Sequence, residues 1–68
     1  MSDMVFKKIN ITGTSTTSVE DAVQNAVNKA SETIRNLRWF EVKEIRGAIV
    51  DDGSLQWQVT VKIGFALE

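Results

Sequence analysis

From Leu55 to Leu67 the chain alternates without a break. Leu55, Trp57, Val59, Val61, Ile63, Phe65 and Leu67 fall on one side, and Gln56, Gln58, Thr60, Lys62, Gly64, Ala66 and Glu68 on the other. Period two is the signature of a strand with one buried face. Upstream the period changes. Val19, Ala22, Val23, Ala26, Val27, Ala30, Ile34 and Leu37 recur at three- and four-residue steps, a single helical stripe running to about Asn36. The stripe is mostly Ala and Val, so this helix can lie close to a sheet. Glu20, Asp21, Gln24, Asn25, Asn28, Lys29, Glu32 and Arg35 form its solvated face. Thr14 to Ser18 supplies hydroxyls for the helix start, either as Thr17 with Glu20 or as Ser18 with Asp21.

Two further strands complete the pattern. Val5 to Thr12 places Val5, Ile9 and Ile11 on one face, and Gly13 is read as its end. Trp39 to Val50 places Phe40 and Val42 on one face, but the next apolar positions are Ile45 and Ile49. The parity slips by one, and a β-bulge near Lys43-Glu44 restores it. Asp51-Asp52-Gly53-Ser54 is the hairpin turn into the last strand. The predicted fold is therefore α+β, in the order β-α-β-β, a three-stranded antiparallel sheet partly wrapped around one helix. The last strand spans roughly 43 Å at about 3.3 Å per residue, and the helix roughly 30 Å at 1.5 Å per residue. One helix cannot cover that apolar face, so its ends call for another subunit.

Composition sharpens this expectation. The 68 residues make one domain, 1–68, with residues 1–4 read as a loose tail. Cysteine and histidine are both absent. That excludes disulfides, the usual structural zinc ligands, thiol nucleophiles and imidazole bases. Chains this small need a staple, and oligomerisation is the one left. A net charge of −1 is a poor footprint for nucleic acid. No apolar run is long enough for a membrane span or a secretory signal. The expected compartment is the cytoplasm.

Parity then isolates one side chain. If Phe40 faces the helix, Trp39 faces away, on the side that carries Gln58, Thr60 and Lys62. Two readings are open for an indole there. It packs in a subunit interface, where Trp is enriched, or it stacks a planar ligand whose polar edge pairs with the Gln58 carboxamide. An amide offers donors and an acceptor together, which suits the edge of a flavin pyrimidine ring. Glu41, Glu44, Asp51 and Asp52 are the only carboxylates placed for acid–base work, and sheet-surface and turn roles account for them.

The chain resembles the dodecins over nearly its whole length, from about Val5 to Glu68. The likeness is carried by Val5-Phe6-Lys7-Lys8, Gly13-Thr14-Ser15, Trp39 through Gly47, Trp57-Gln58-Val59 and Gly64 through Glu68. It implies a hollow assembly of twelve subunits. It further implies FMN or riboflavin bound as stacked pairs between tryptophans of symmetry-related chains, for storage and not for catalysis. The family tryptophan falls on Trp39 and its glutamine on Gln58. Arg46 matches a basic position of bacterial members near the flavin pair, and Glu44 in the same segment is counted with them as cofactor-binding. One departure stands out. Bacterial members often carry an arginine where this chain has Ala66, which puts a second, coenzyme A-type site in doubt. The alternative to a flavin protein is a structural homo-oligomer with Trp39 buried in its interface.

Overall fold

The computed structural model describes residues 3–67. Met1 and Ser2 of the expected tail, and Glu68, lie outside them, while Asp3 and Met4 are exposed and without regular structure. The elements are β1 (Val5–Ser15), α1 (Val19–Ser31), β2 (Leu37–Ile49) and β3 (Leu55–Leu67). The sheet is antiparallel with β3 in the centre, in the order β1-β3-β2. This is the expected β-α-β-β architecture, one helix on a three-stranded sheet.

α1 starts where its hydroxyls allow. Ser18 is the N-cap, with extended backbone and a side chain that accepts from the Asp21 amide at 3.0 Å. Of the two capping pairs it is Ser18 with Asp21 that forms. The Asp21 carboxylate accepts from the Ser15 hydroxyl at 2.7 Å, and Ser15 Oγ in turn accepts from the Thr17 amide at 2.9 Å. The capping network thus ties the helix start to the end of β1.

Three sequence boundaries move. α1 ends at Ser31 and not near Asn36, so it is 13 residues and about 20 Å long. The chain then turns, with Asn36 in the left-handed region at φ 63°. Ile34 still packs on the core from the connection, and Leu37 from the first residue of β2, instead of from the helix. β1 runs through Gly13 to Ser15. Gly13 is not a stop: a Cβ there would overlap the Ala22 carbonyl oxygen and stand 2.9 Å from the Ala26 Cβ. Its bare Cα is what lets helix and strand touch. β2 begins two residues before Trp39, and its register shifts twice. The shift between Val42 and Glu44 is the expected bulge. The one between Leu37 and Trp39 lay at a point where periodicity gave no warning.

The core is small. Ala22, Ala26 and Ala30 press one face of α1 onto Val59, Val61 and Ile63 of β3. α1 lies over β1 and β3, and β2 extends beyond it. Phe40 and Val42 do share the helix-side face, as parity required, but the helix does not bury them. They remain 51% and 46% exposed, with Ile45 at 54% and Ile49 at 80%. The β2–β3 hairpin projects so that the molecule measures 56 × 20 × 14 Å. At its tip Gly53, φ 85°, donates to the Val50 carbonyl at 2.8 Å, and Asp52 accepts from the amide and hydroxyl of Ser54. Those two bonds hold the Asp52 carboxyl below its usual range.

Candidate functional site

The outer face of the sheet, opposite α1, carries every site residue expected from the sequence. Trp39 stands across from Gly64 on β3, which stands across from Lys8 on β1. A Cβ on Gly64 would collide with the six-membered ring of Trp39. The missing side chain lets the indole lie down on the central strand and reach Phe6 on β1. The two rings meet edge-on, with centroids 5.2 Å apart and planes at 70°, a favoured aromatic geometry. The indole Nε1 donates to Glu41 Oε2 at 3.1 Å. Lys8 Nζ donates to the same oxygen at 3.2 Å, and Lys43 stands 3.9 Å from the other. The indole N–H first, then the Lys8 ammonium, hold the Glu41 carboxyl below its usual range. Trp39 nevertheless keeps 38% of its surface open.

The second group lies further along β3. Arg46 Nε donates to Gln58 Oε1 at 2.7 Å, and Gln58 Nε2 donates to Gln56 Oε1 at 3.3 Å. Glu44 Oε1 is 3.7 Å from Arg46 Nη1. Glu44, Arg46 and Gln58 therefore form one polar cluster. Trp39 is not part of it. Gly64, beneath the indole, and Gln58 are six residues apart on one strand, about 20 Å at 3.3 Å per residue. The sequence put indole and carboxamide side by side; the register separates them. A single planar ligand cannot touch both in one chain. Two chains must contribute if both hold it.

Phe6, Lys8, Glu41 and Gly64 complete the indole's surroundings and were not among the expected site residues. Glu41 was within reach of sequence reasoning, since positions 39 and 41 share a face by parity. Phe6 and Lys8 become neighbours only once β1 is known to pair with β3. Of the carboxylates weighed for acid–base work, Glu41 and Asp52 are both held in the ionised form by their hydrogen bonds. That is the opposite of the raised pKa a general acid needs at neutral pH. Among the described residues no three His, Cys, Asp or Glu side chains are grouped to hold a metal ion.

Comparison with known proteins agrees with this fold. The dodecin family model matches residues 5–68. The dodecin of Thermus thermophilus is 48% identical over 64 residues, covering 94% of this chain and 93% of the relative. The calcium dodecin of Mycobacterium tuberculosis is 32% identical over 63 residues, covering 93% and 89%. The structure of the Streptomyces davaonensis dodecin superposes with a TM-score of 0.91 at 45% identity, covering 98% of each chain. The chain belongs to the dodecin family.

Proposed function

We propose that this protein binds flavin, FMN or riboflavin, between subunits of a homo-oligomer, and stores it with its photochemistry quenched. The observation that carries the reading is the Trp39 indole: fixed to the outer face by Gly64, Phe6 and Glu41, yet 38% open. An indole so held is a platform for a flat ligand. Stacked aromatic planes contribute about 0.5–1.5 kcal/mol beyond the area they bury. Gln58 supplies a hydrogen-bonding edge from a second chain, with Arg46 and Glu44 beside it. Apolar side chains left open on β2 favour assembly, and the family resemblance favours twelve copies. The role is binding and not turnover, within the cytoplasm. The Mycobacterium tuberculosis relative is named for calcium, so calcium is the natural control ligand.

The test is a titration of FMN fluorescence. Wild-type protein quenches the emission and co-elutes with FMN, with or without calcium. Trp39→Ala weakens binding by about 100-fold, or about 2.8 kcal/mol at 1.4 kcal/mol per decade, and leaves the emission bright. Unquenched FMN at saturating wild-type protein would sink the flavin reading in favour of a ligand-free oligomer. Gln58→Ala keeps the stacking platform but leaves a buried ligand edge unpaired. It weakens FMN by about 1–3 kcal/mol while the bound fraction stays quenched. An unchanged dissociation constant would remove Gln58 from the flavin edge.

A further inference from the structure

Trp39 is held by more than its backbone. Residues 39 and 41 point the same way from β2, about 6.6 Å apart at 3.3 Å per residue. To bring Nε1 within 3.1 Å of the Glu41 carboxylate the indole must turn along its own strand. To lay its six-membered ring on Gly64 it must at the same time lean across β3. Phe6 stands edge-on at the far side of the ring. Glu41 is equally fixed. Its Oε2 takes the indole N–H and the Lys8 ammonium together, and Lys43 sits at Oε1. A carboxylate that merely solvates a sheet surface has no need of an indole and two lysines.

We infer that Glu41, backed by Lys8, is the positioning residue of the stacking platform: it sets the plane of the Trp39 indole and makes that indole a better electron donor. The inference deepens the flavin reading and rests on it. The positioning part follows from pre-organisation. An indole already locked in the stacking pose loses less rotamer freedom when a ligand lands on it, and affinity rises accordingly. The electronic part follows from charge. A hydrogen bond to an ionised acceptor is roughly twice as strong as one between neutral groups, and it places negative charge at the ring nitrogen. Quenching is a one-electron exchange. The excited flavin takes an electron from the indole, giving a flavin radical anion and an indole radical cation, and the same electron then returns. No covalent bond forms or breaks, and the N–H proton stays in the hydrogen bond. A carboxylate at Nε1 stabilises the radical cation and speeds the outward step.

The groups facing Glu41 define its pH response. They are Lys8 from β1, Lys43 from β2 and Lys62, its cross-strand partner on β3, all cationic. The indole N–H and Lys8 depress the Glu41 pKa. A depressed carboxylate keeps its contribution above its ordinary value and loses it as pH falls through the lowered one. The tether therefore persists through neutral and mildly acid solution and lets go only on the acid side of an ordinary glutamate.

The experiment uses the full assembled chain carrying Trp57→Phe, so that Trp39 is the sole indole. Three quantities are read: time-resolved anisotropy of Trp39 without ligand, the FMN dissociation constant, and the excited-state lifetime of bound FMN. Glu41→Ala introduces fast indole motion, weakens FMN about tenfold and lengthens the lifetime. Glu41→Gln, which keeps an acceptor but no charge, restores the anisotropy and most of the affinity. It does not restore the lifetime, and the acid loss of indole order disappears. Glu41→Ala with unchanged anisotropy, affinity and lifetime overturns the inference. Should the wild-type chain, titrated alongside, fail to bind FMN at all, the flavin reading falls, and the anisotropy alone decides whether Glu41 positions the indole.

Discussion

Replacing Gly13 with valine is expected to lower stability by about 3 kcal/mol or more, where overpacking a core typically costs 1–3 kcal/mol. The excess comes from what the new side chain meets. A Cβ at position 13 would overlap the Ala22 carbonyl oxygen and stand 3.0 Å from the Ala26 backbone nitrogen. Both are helix main chain, which no rotamer change can move aside. The helix as a whole must lift off β1. Lifting it withdraws Ala22, Ala26 and Ala30 from Val59, Val61 and Ile63, which together make the buried apolar core. At 0.05–0.15 kcal/mol per residue a domain of this size has roughly 3–10 kcal/mol in total, so the variant stands near the edge of folding. Guanidinium denaturation at fixed protein concentration reads the change, since assembly links stability to concentration. Gly47→Ala is the control. Its Cβ would meet only the Gln56 carbonyl oxygen, at an ordinary 3.8 Å. An equal fall in midpoint for both variants would show that loss of any sheet glycine, and not the helix contact, is responsible.

Gly13 also shows where reading the sequence succeeded and where it could not. β3 was legible from end to end, because a strand with one buried face writes its parity into every residue. The bulge after Val42 was legible for the same reason, as a slip in that parity. The end of α1 was not. Ile34 and Leu37 continue the helical stripe, yet Ile34 reaches the core from the turn after α1 and Leu37 from the start of β2, just past the left-handed Asn36. Periodicity records which residues are buried and not the backbone path that takes them there. Gly13 looked like punctuation because its reason lies in α1, far from its chain neighbours. The candidate site divides along the same line. Parity sent Trp39 and Gln58 to one face, and the resemblance added Arg46 and Glu44, but only register shows that the indole sits above Gly64 and the carboxamide beside Arg46. Phe6 and Lys8 needed the strand order as well, with β3 between β1 and β2.

Ile45→Asp is expected to abolish flavin binding without touching any residue of the proposed flavin site. Ile45 shares the helix-side face of β2 with Phe40, Val42 and Ile49, and α1 leaves that stripe largely open. In the lone chain Ile45 is already 54% exposed, so an aspartate there can stay hydrated and the fold should hold. In an assembly that buries this stripe, the carboxylate would lose water with no cation to replace it. An isolated buried charge of that kind costs several kcal/mol, repeated at every equivalent contact. The assembly should therefore fall to small species, near the 7.6 kDa of one chain, with the helical circular dichroism retained. FMN binding should vanish with it, because Gly64, beneath Trp39, and Gln58 lie about 20 Å apart along β3, and the proposed site needs a second chain to bring both side chains to one ligand. Light scattering and an FMN titration on the same sample separate the two steps. A variant of undiminished size would mean that the β2 stripe is not the subunit contact. A dissociated variant that still quenches FMN with wild-type affinity would mean that one chain holds the flavin alone. The outer face of a single sheet would then have to supply the whole site, with the Glu41-anchored indole in place of the Gln58 edge.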